Sequence, residues 1–428
     1  MSTSKNTNLV AIITMCFIFA MISFVTNMGA PFGNIWGFKY DFAASWGNLM
    51  NFTAYLFMGI PSGMLLKKIG YKKTALAALL VGIIGLALQY LSSVYGDDIK
   101  VNEMNGAPVA LNLYIYLLGA LVCGFCVCML NTVVNPMLNM LGGGGNKGNQ
   151  LIQIGGTLNS LTATLTPLLA GVLVGTVTEK TSMTDVSPLL FIGMAVFAIS
   201  FIIISRVNIP EPNIGKSDSL MDSMKGALRF RHLILGVIAI FFYVGVEIGI
   251  PMELNFYVTN FRGGFEGSAA LGGTLAASYW FMMLIGRFSS TLISGKVNTK
   301  TQMTVVSTVA ICLLLIAIFL PESATTTIRG HEVPLKVFFI AACGLCTSIM
   351  WGGIFNLSVE GLGKYTEAAS GIFMMMVVGG GLMPWLQDII AKSSGAITSY
   401  WLQVAMVAYI LFYALIGCKN VNKDIPVE

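Results

Sequence analysis

Charge is what this sequence has least of. Only 10% of its 428 residues are Asp, Glu, Lys or Arg, where soluble globular chains carry about 25%. So little polar surface cannot cover even one large domain in water, which excludes a soluble globule. Histidine is scarcer still. His232 and His331 are the only two, both near loops, so no buried His relay or metal cluster is expected. The net charge of +5 comes from scattered Lys and Arg with no basic stripe and interleaved aromatics, which removes nucleic acid as a partner. The eight cysteines lie nearly all inside apolar runs and read as small buried hydrophobes rather than disulfides or metal ligands. No cofactor is expected.

What is present is apolar: 56% hydrophobic residues and 47 glycines. A lipid bilayer is the solvent that suits such a chain, and at about 20 residues per helical span there is room for about twelve spans. The apolar runs place them at Leu9 to Ile35, Trp46 to Leu66, Thr74 to Leu91, Leu111 to Leu141, Leu151 to Val177 and Pro188 to Val207 in the first half. The second half gives Leu233 to Val258, Ser268 to Ser294, Thr301 to Leu320, Leu335 to Gly361, Ala369 to Ala391 and Thr398 to Cys418. The expected organisation is an N-terminal six-helix bundle over 1–207, an interfacial linker over 208–232 with Pro210 and Pro212, and a C-terminal six-helix bundle over 233–428. The first run is too long for a signal-peptide core and ends without a small-residue cleavage pattern, so it is expected to remain as a span.

With the N-terminus inside, about sixteen Lys and Arg fall in inner loops and about seven in outer ones. The inner set includes Lys67, Lys68, Lys72, Lys73, Lys216 and Lys423, and the outer set Lys180 and Arg329. Both termini are therefore expected in the cytoplasm, with the chain a multi-pass protein of the cell (inner) membrane. An internal repeat is also legible. Cys123-Gly-Phe-Cys126 recurs as Cys343-Gly-Leu-Cys346, and at the same offset of about 220 residues Asn27-Met-Gly-Ala-Pro31 faces Glu247-Ile-Gly-Ile-Pro251. Duplicated six-span halves are the build of many secondary transporters, which hold substrate between the halves near the midplane.

Specific motifs narrow this. Gly63-Met-Leu-Leu-Lys-Lys-Ile-Gly-Tyr-Lys-Lys73 after span two resembles the loop signature of the major facilitator superfamily, with Lys67 where many members carry Asp. Cys128-Met-Leu-Asn-Thr-Val-Val-Asn-Pro136, Thr157-Leu-Asn-Ser160, Phe242-Tyr-Val-Gly-Val-Glu247 and Glu360-Gly-Leu-Gly-Lys-Tyr365 are similar to the fucose permease and glucose/galactose transporter branch. The resemblance implies an all-α membrane fold of twelve helices in two pseudo-symmetric bundles, and a sugar carrier coupled to protons or, in some members, sodium. It also sets up a departure. Where the proton-coupled fucose permease has an acid in span one and another in span four, this chain has Asn27 and Asn131, and amides cannot titrate.

Glu247, about mid-span in helix seven and the repeat mate of Asn27, is then the candidate coupling residue, against the alternative of a protonated Glu satisfied by a neighbour. Asn131, Asn135 and Asn139 share one stripe of span four at i, i+4, i+8. Amides suit sugar hydroxyls but also bond helix to helix. Asn131 reads as ligand, Asn135 as either, and Asn139 as structural. Asn159 matches a position that binds or lines the site in the fucose permease, Gln153 lies under two turns before it, and Gly156 stands where that permease has Gln. Aromatic rings stack on the apolar face of a pyranose, which makes Tyr243, Trp280, Trp351 and Trp385 candidates against ordinary interface or packing roles. Trp351 is the repeat mate of Asn131. Asn356 and Gln387 are weaker candidates.

Lys67, Lys68, Lys72 and Lys73 with Arg287 and Glu360 read as a cytoplasmic gate of ion pairs between the halves, and Gly379 to Gly381 before Pro384 as a bending or packing point. The glycine-rich 142–148 stretch lacks the Lys-Ser/Thr ending of a phosphate loop. The expected function is secondary transport of a hexose or deoxyhexose with a co-transported proton or sodium ion. A uniporter, or a carrier of an amino sugar or sialic acid, is the alternative. A carboxylate substrate would want an Arg or Lys at mid-membrane, and none is expected there. A non-transporting sensor would bring a signalling domain, and a membrane enzyme would need a nucleophile, base and orienter that do not appear.

Overall fold

The structure, a computed structural model, describes the chain except for residues 1, 41, 44, 105, 175–180, 210, 212–219, 264–267, 294, 329, 423 and 428. Lys180, Pro210, Pro212, Lys216, Arg329 and Lys423, all used above for topology, lie outside the described residues. Helix α1 (Ser2–Lys39) forms span one, and α2 (Trp46–Val94) carries spans two and three. A hairpin of β1 (Lys100–Met104) and β2 (Ala107–Ala110) precedes α3 (Leu111–Leu141), α4 (Gly145–Val174) and α5 (Ser187–Arg206). After the short linker helix α6 (Leu220–Ala227), the second half runs α7 (Arg231–Asn260), α8 (Ser268–Ile293) and α9 (Thr299–Phe319), then a hairpin of β3 (Thr325–Ile328) and β4 (His331–Pro334). Span ten is split into α10 (Lys336–Thr347) and α11 (Met350–Val359), span eleven into α12 (Thr366–Met375) and α13 (Gly379–Ser394), and α14 (Ala396–Phe412) closes the set. Among the described residues nine helical segments are long and apolar enough to cross a membrane. Trp46–Val94 among them covers two spans, and α4 and α8 complete the twelve.

Each irregularity has a local cause. Gly70 takes a φ of +83° inside α2 and turns the chain between spans two and three, a conformation that glycine adopts without steric cost. The N-terminus of span three so created is capped by Glu211, whose carboxylate accepts from the backbone N–H groups of Tyr71 (2.8 Å) and Lys72 (3.0 Å). Lys72 Nζ in turn donates to the carbonyls of Ser205 and Val207 at the C-terminus of α5. Lys72 thus caps a helix within its own half rather than pairing across the gate. The bend expected at Gly379 begins one turn earlier, in a 3-10 turn over Met376–Val378. A Cβ on Gly379 would also strike the Phe241 backbone of α7, so that glycine serves packing too.

The repeat extends to features the apolar pattern concealed. The two hairpins occupy corresponding places, between spans three and four and between spans nine and ten, and both turn through a positive-φ glycine, Gly106 and Gly330. They mark one end of the bundle, the hairpin end. Gly70, α6 and the α4 N-terminus mark the other, the linker end. The halves meet where α2 packs on α12 and α13 and where α4 packs on α8 and α11. Large apolar side chains such as Phe57, Leu292 and Phe319 remain exposed on the outer surface, as a lipid-facing wall requires. All eight cysteines are free thiols, and every one but Cys312 is buried.

Candidate functional site

Proline prepares the centre of each half. Pro31 and Pro251 have no N–H to give to the carbonyls four residues back, which belong to Asn27 and Glu247. The helical ladder is thereby interrupted at the repeat-related pair that faces the interface. Around them lies a cavity of about 390 Å³. One half lines it with Asn27, Asn48, Asn51, Gln89, Asn131, Gln153 and Asn159, and the other with Glu247, Asn255, Trp280, Arg287, Ser348 and Trp351. A second space of about 1030 Å³ shares Ser45, Asn48, Met252 and Phe256 with the first and continues toward the hairpin end.

Arg287 corrects the expectation made for it. It belongs to the floor of this cavity and not to an ion-pair gate at the helix end, and it also overturns the expectation that no basic residue sits at mid-membrane. Its side chain is buried, and its guanidinium joins both halves. Nη2 pairs with Glu247 Oε1 at 3.2 Å. Nε donates to the carbonyl of Ser348 (3.0 Å), in the gap between α10 and α11. Nη1 crosses to α4 and donates to Gly156 O (2.9 Å), Ser160 Oγ (2.9 Å) and Asn159 Oδ1 (3.2 Å). Gly156 makes the space for it, since a Cβ there would sit 3.3 Å from Arg287 Cδ.

Other expected residues divide into those that line the cavity and those that do not. Asn27 hydrogen-bonds back to Ser23, Asn131 donates to the Tyr55 hydroxyl at 2.9 Å, and Asn159 donates to the Phe19 carbonyl. Gln153 lines the floor and reaches across to the Ile349 carbonyl at 3.1 Å. Asn135 is fully buried behind the wall, where its Oδ1 accepts from Trp351 Nε1 at 2.9 Å. Tyr243 is fully buried and packs on Trp351 rather than facing the cavity. Asn356 bridges the halves instead, accepting from Asn139 at 3.0 Å near the linker end. Gln387 is fully buried between helices of its own half, held by Ser399 and Gln403. Trp385 is exposed along the second space. For the buried amides, a span with no water to offer required a protein partner for the polar group.

Four amides were missed: Asn48 and Asn51 on one face of span two, Gln89 in span three, and Asn255 in span seven. Asn51 Oδ1 and Gln89 Oε1 are buried acceptors with no hydrogen-bond partner among the described residues. Their signal was polarity inside an apolar run, the same signal that marked Asn131.

The linker end is closed. Besides Asn139–Asn356, Asn149 Nδ2 donates to Thr299 Oγ1 (3.4 Å) and Gln150 Nε2 to the Thr291 carbonyl (3.0 Å). Lys67 donates to Ser223 of α6 and lies within electrostatic reach of Glu367 on α12. Glu360 does not supply that carboxyl; its backbone carbonyl faces His232 and its side chain is exposed, as is that of Lys68.

The sequence profile of the Major Facilitator Superfamily matches residues 10–384. The chain belongs to that superfamily. This superfamily member is 31% identical over 381 residues to the glucose/galactose transporter of Brucella abortus biovar 1 (strain 9-941), covering 86% of this chain and 84% of that one. It is 23% identical over 388 residues to the L-fucose-proton symporter of Escherichia coli (strain K12), covering 84% and 81%. Its fold matches FucP, a Major Facilitator Superfamily transporter crystallised in the outward conformation, with a TM-score of 0.76 at 20% identity over 95% of this chain and 98% of that one. The architecture is thus that of a multi-pass membrane transporter, with twelve helices in two related bundles.

Proposed function

We propose that this protein carries a monosaccharide, a hexose or deoxyhexose, into the cell by alternating access, coupled to a cation. The observation that carries the reading is the cavity itself. Uncharged amides from one half and tryptophans from the other surround a single charge-balanced pair. Asn131, Asn51 and Gln89 supply acceptors and donors for hydroxyls, and Trp280 and Trp351 supply faces for the apolar side of the ring. The names of the related glucose/galactose and fucose carriers support the same substrate class.

Both termini are read as cytoplasmic from the excess of Lys and Arg on the linker side, which makes the cavity open to the exterior. Transport then requires the linker end to part and the hairpin end to close around the sugar. Glu247 is the acid that lines the cavity among the described residues and is the proposed site of coupling. A proton or sodium ion joining it loosens its bond to Arg287, and through Arg287 the ties to Gly156, Asn159 and Ser160 on the opposite half. Lys67 with Glu367 is the proposed charged element of the gate.

The test is uptake of labelled glucose, galactose, fucose and N-acetylglucosamine into proteoliposomes, with and without imposed proton or sodium gradients. Gradient-driven accumulation of at least one sugar is expected. Glu247→Gln is expected to abolish accumulation while exchange continues. Failure to take up any sugar contradicts the substrate class, and accumulation unchanged in Glu247→Gln at every pH removes that residue from coupling.

A further inference from the structure

Two formal charges line the inner cavity among the described residues, Glu247 and Arg287, and they face each other at 3.2 Å. Guanidinium offers five N–H donors in a fixed fork and does not lose its charge. Here Nε and Nη1 are occupied by Ser348 O, Gly156 O, Asn159 Oδ1 and Ser160 Oγ, all uncharged acceptors. Among the described residues the positive charge is therefore balanced by Glu247 alone, through Nη2. Among the described residues one acceptor engages the two N–H groups of Nη2, and Glu247 keeps 14% of its side-chain surface open. A ligand thus meets a carboxylate oxygen and a guanidinium N–H side by side.

We infer that Glu247 sets the charge class of the substrate. With Glu247 ionised, the cavity floor is neutral and takes neutral sugars. One hydroxyl donates to the carboxylate and accepts from Nη2, satisfying both. A sugar bearing a carboxylate meets the negative charge of Glu247 in a site of low dielectric, where like charges repel strongly, and finds the guanidinium already balanced. The cation at mid-membrane that would suit an acidic sugar is present but masked. Removing the Glu247 carboxylate unmasks it, because the buried guanidinium then needs a counter-charge and a planar carboxylate matches its fork.

This inference rests on the sugar-carrier reading, and its test separates the two. D-glucose is compared with D-glucuronate, and D-galactose with D-galacturonate, by equilibrium binding to the purified protein at neutral pH without any gradient; each pair differs only at C6. The wild type is expected to favour the neutral member by at least about tenfold. Glu247→Gln is expected to move that ratio at least about a hundredfold toward the uronate. Combining Glu247→Gln with Arg287→Gln, which restores a neutral floor, returns the preference to the neutral sugar, and Glu247→Asp keeps it. A wild type that binds uronate as tightly as its neutral partner overturns the inference even if a variant fails to fold, as does an unchanged ratio in Glu247→Gln. Binding of none of the four sugars, nor of fucose or N-acetylglucosamine, contradicts the sugar reading instead.

Discussion

At the linker end the two halves touch through amides, hydroxyls and bare glycine backbone, while at the hairpin end they stand apart around two connected cavities. The closed end shows what kind of tie a moving interface uses. Each neutral hydrogen bond there contributes on the order of 1 kcal/mol, so a few can hold one state and still be exchanged for others. Lys67 and Glu367 are the proposed charged element across the halves there, but the ion pairs formed elsewhere among the described residues do not cross. Glu247 and Arg287 both belong to the second half, on α7 and α8, and the exposed pairs Lys39–Asp97 and Arg262–Glu332 likewise stay within one half. Rocking the halves does not by itself pull these three pairs apart, whereas it does separate the buried cation from its neutral partners on α4.

The largest effect should come from the buried pair within the second half. Arg287→Gln leaves the Glu247 carboxylate buried without its cation, a change that costs about 3–5 kcal/mol when one partner of a buried pair is removed. Uptake is expected to be lost and the melting temperature to fall; wild-type stability and transport would show that the pair holds nothing. Next comes the close approach at the linker end, where a Cβ on Gly59 would lie 2.7 Å from the Met375 Cα. Gly59→Leu is expected to keep that end from closing, lowering the reactivity of a cysteine at position 255 from the hairpin side by more than about tenfold. Reactivity equal to that of the parent would break the comparison between the ends.

Smaller effects sharpen it. Asn356→Ala removes one neutral tie, the bond from Asn139. A loss of about 1 kcal/mol shifts the ratio of the two access states about fivefold, measurable by the same labelling. Smallest is the exposed pair at the hairpin end, where Lys39 holds the Asp97 carboxyl below the usual carboxylate range. A lowered value in the folded state contributes stability above the unfolded carboxylate range, about pH 4, and loses it as pH falls below. Lys39→Ala should cost under about 1 kcal/mol at neutral pH and nothing in acid, read from melting temperature against pH.

The spans, the duplication and the superfamily were legible because each is written in one dimension, as apolar length, offset or local motif. Depth was not. Arg287 lies six residues before the end of α8, about 9 Å along the axis, and an apolar run with uncertain ends cannot separate that depth from a surface position. Nor could the sequence show that Gly156, on another helix, vacates the space a guanidinium needs. The amides split for a related reason. Asn131, Asn135, Asn356 and Gln387 look alike within apolar runs, but only the packing decides which meets a cavity and which meets another helix. The hairpins were overlooked because their loops were read for charge, although Gly106 and Gly330 were turn signals.

The central claim is that the sugar enters between the halves from the hairpin end. In a background with the eight native cysteines replaced, Asn255→Cys, which lines the cavity, can be exposed to a membrane-impermeant thiol reagent from either side of oriented proteoliposomes. The account predicts labelling from the hairpin side, suppressed by the transported sugar, and little from the linker side. Equal labelling from both sides, indifferent to sugar, would contradict it.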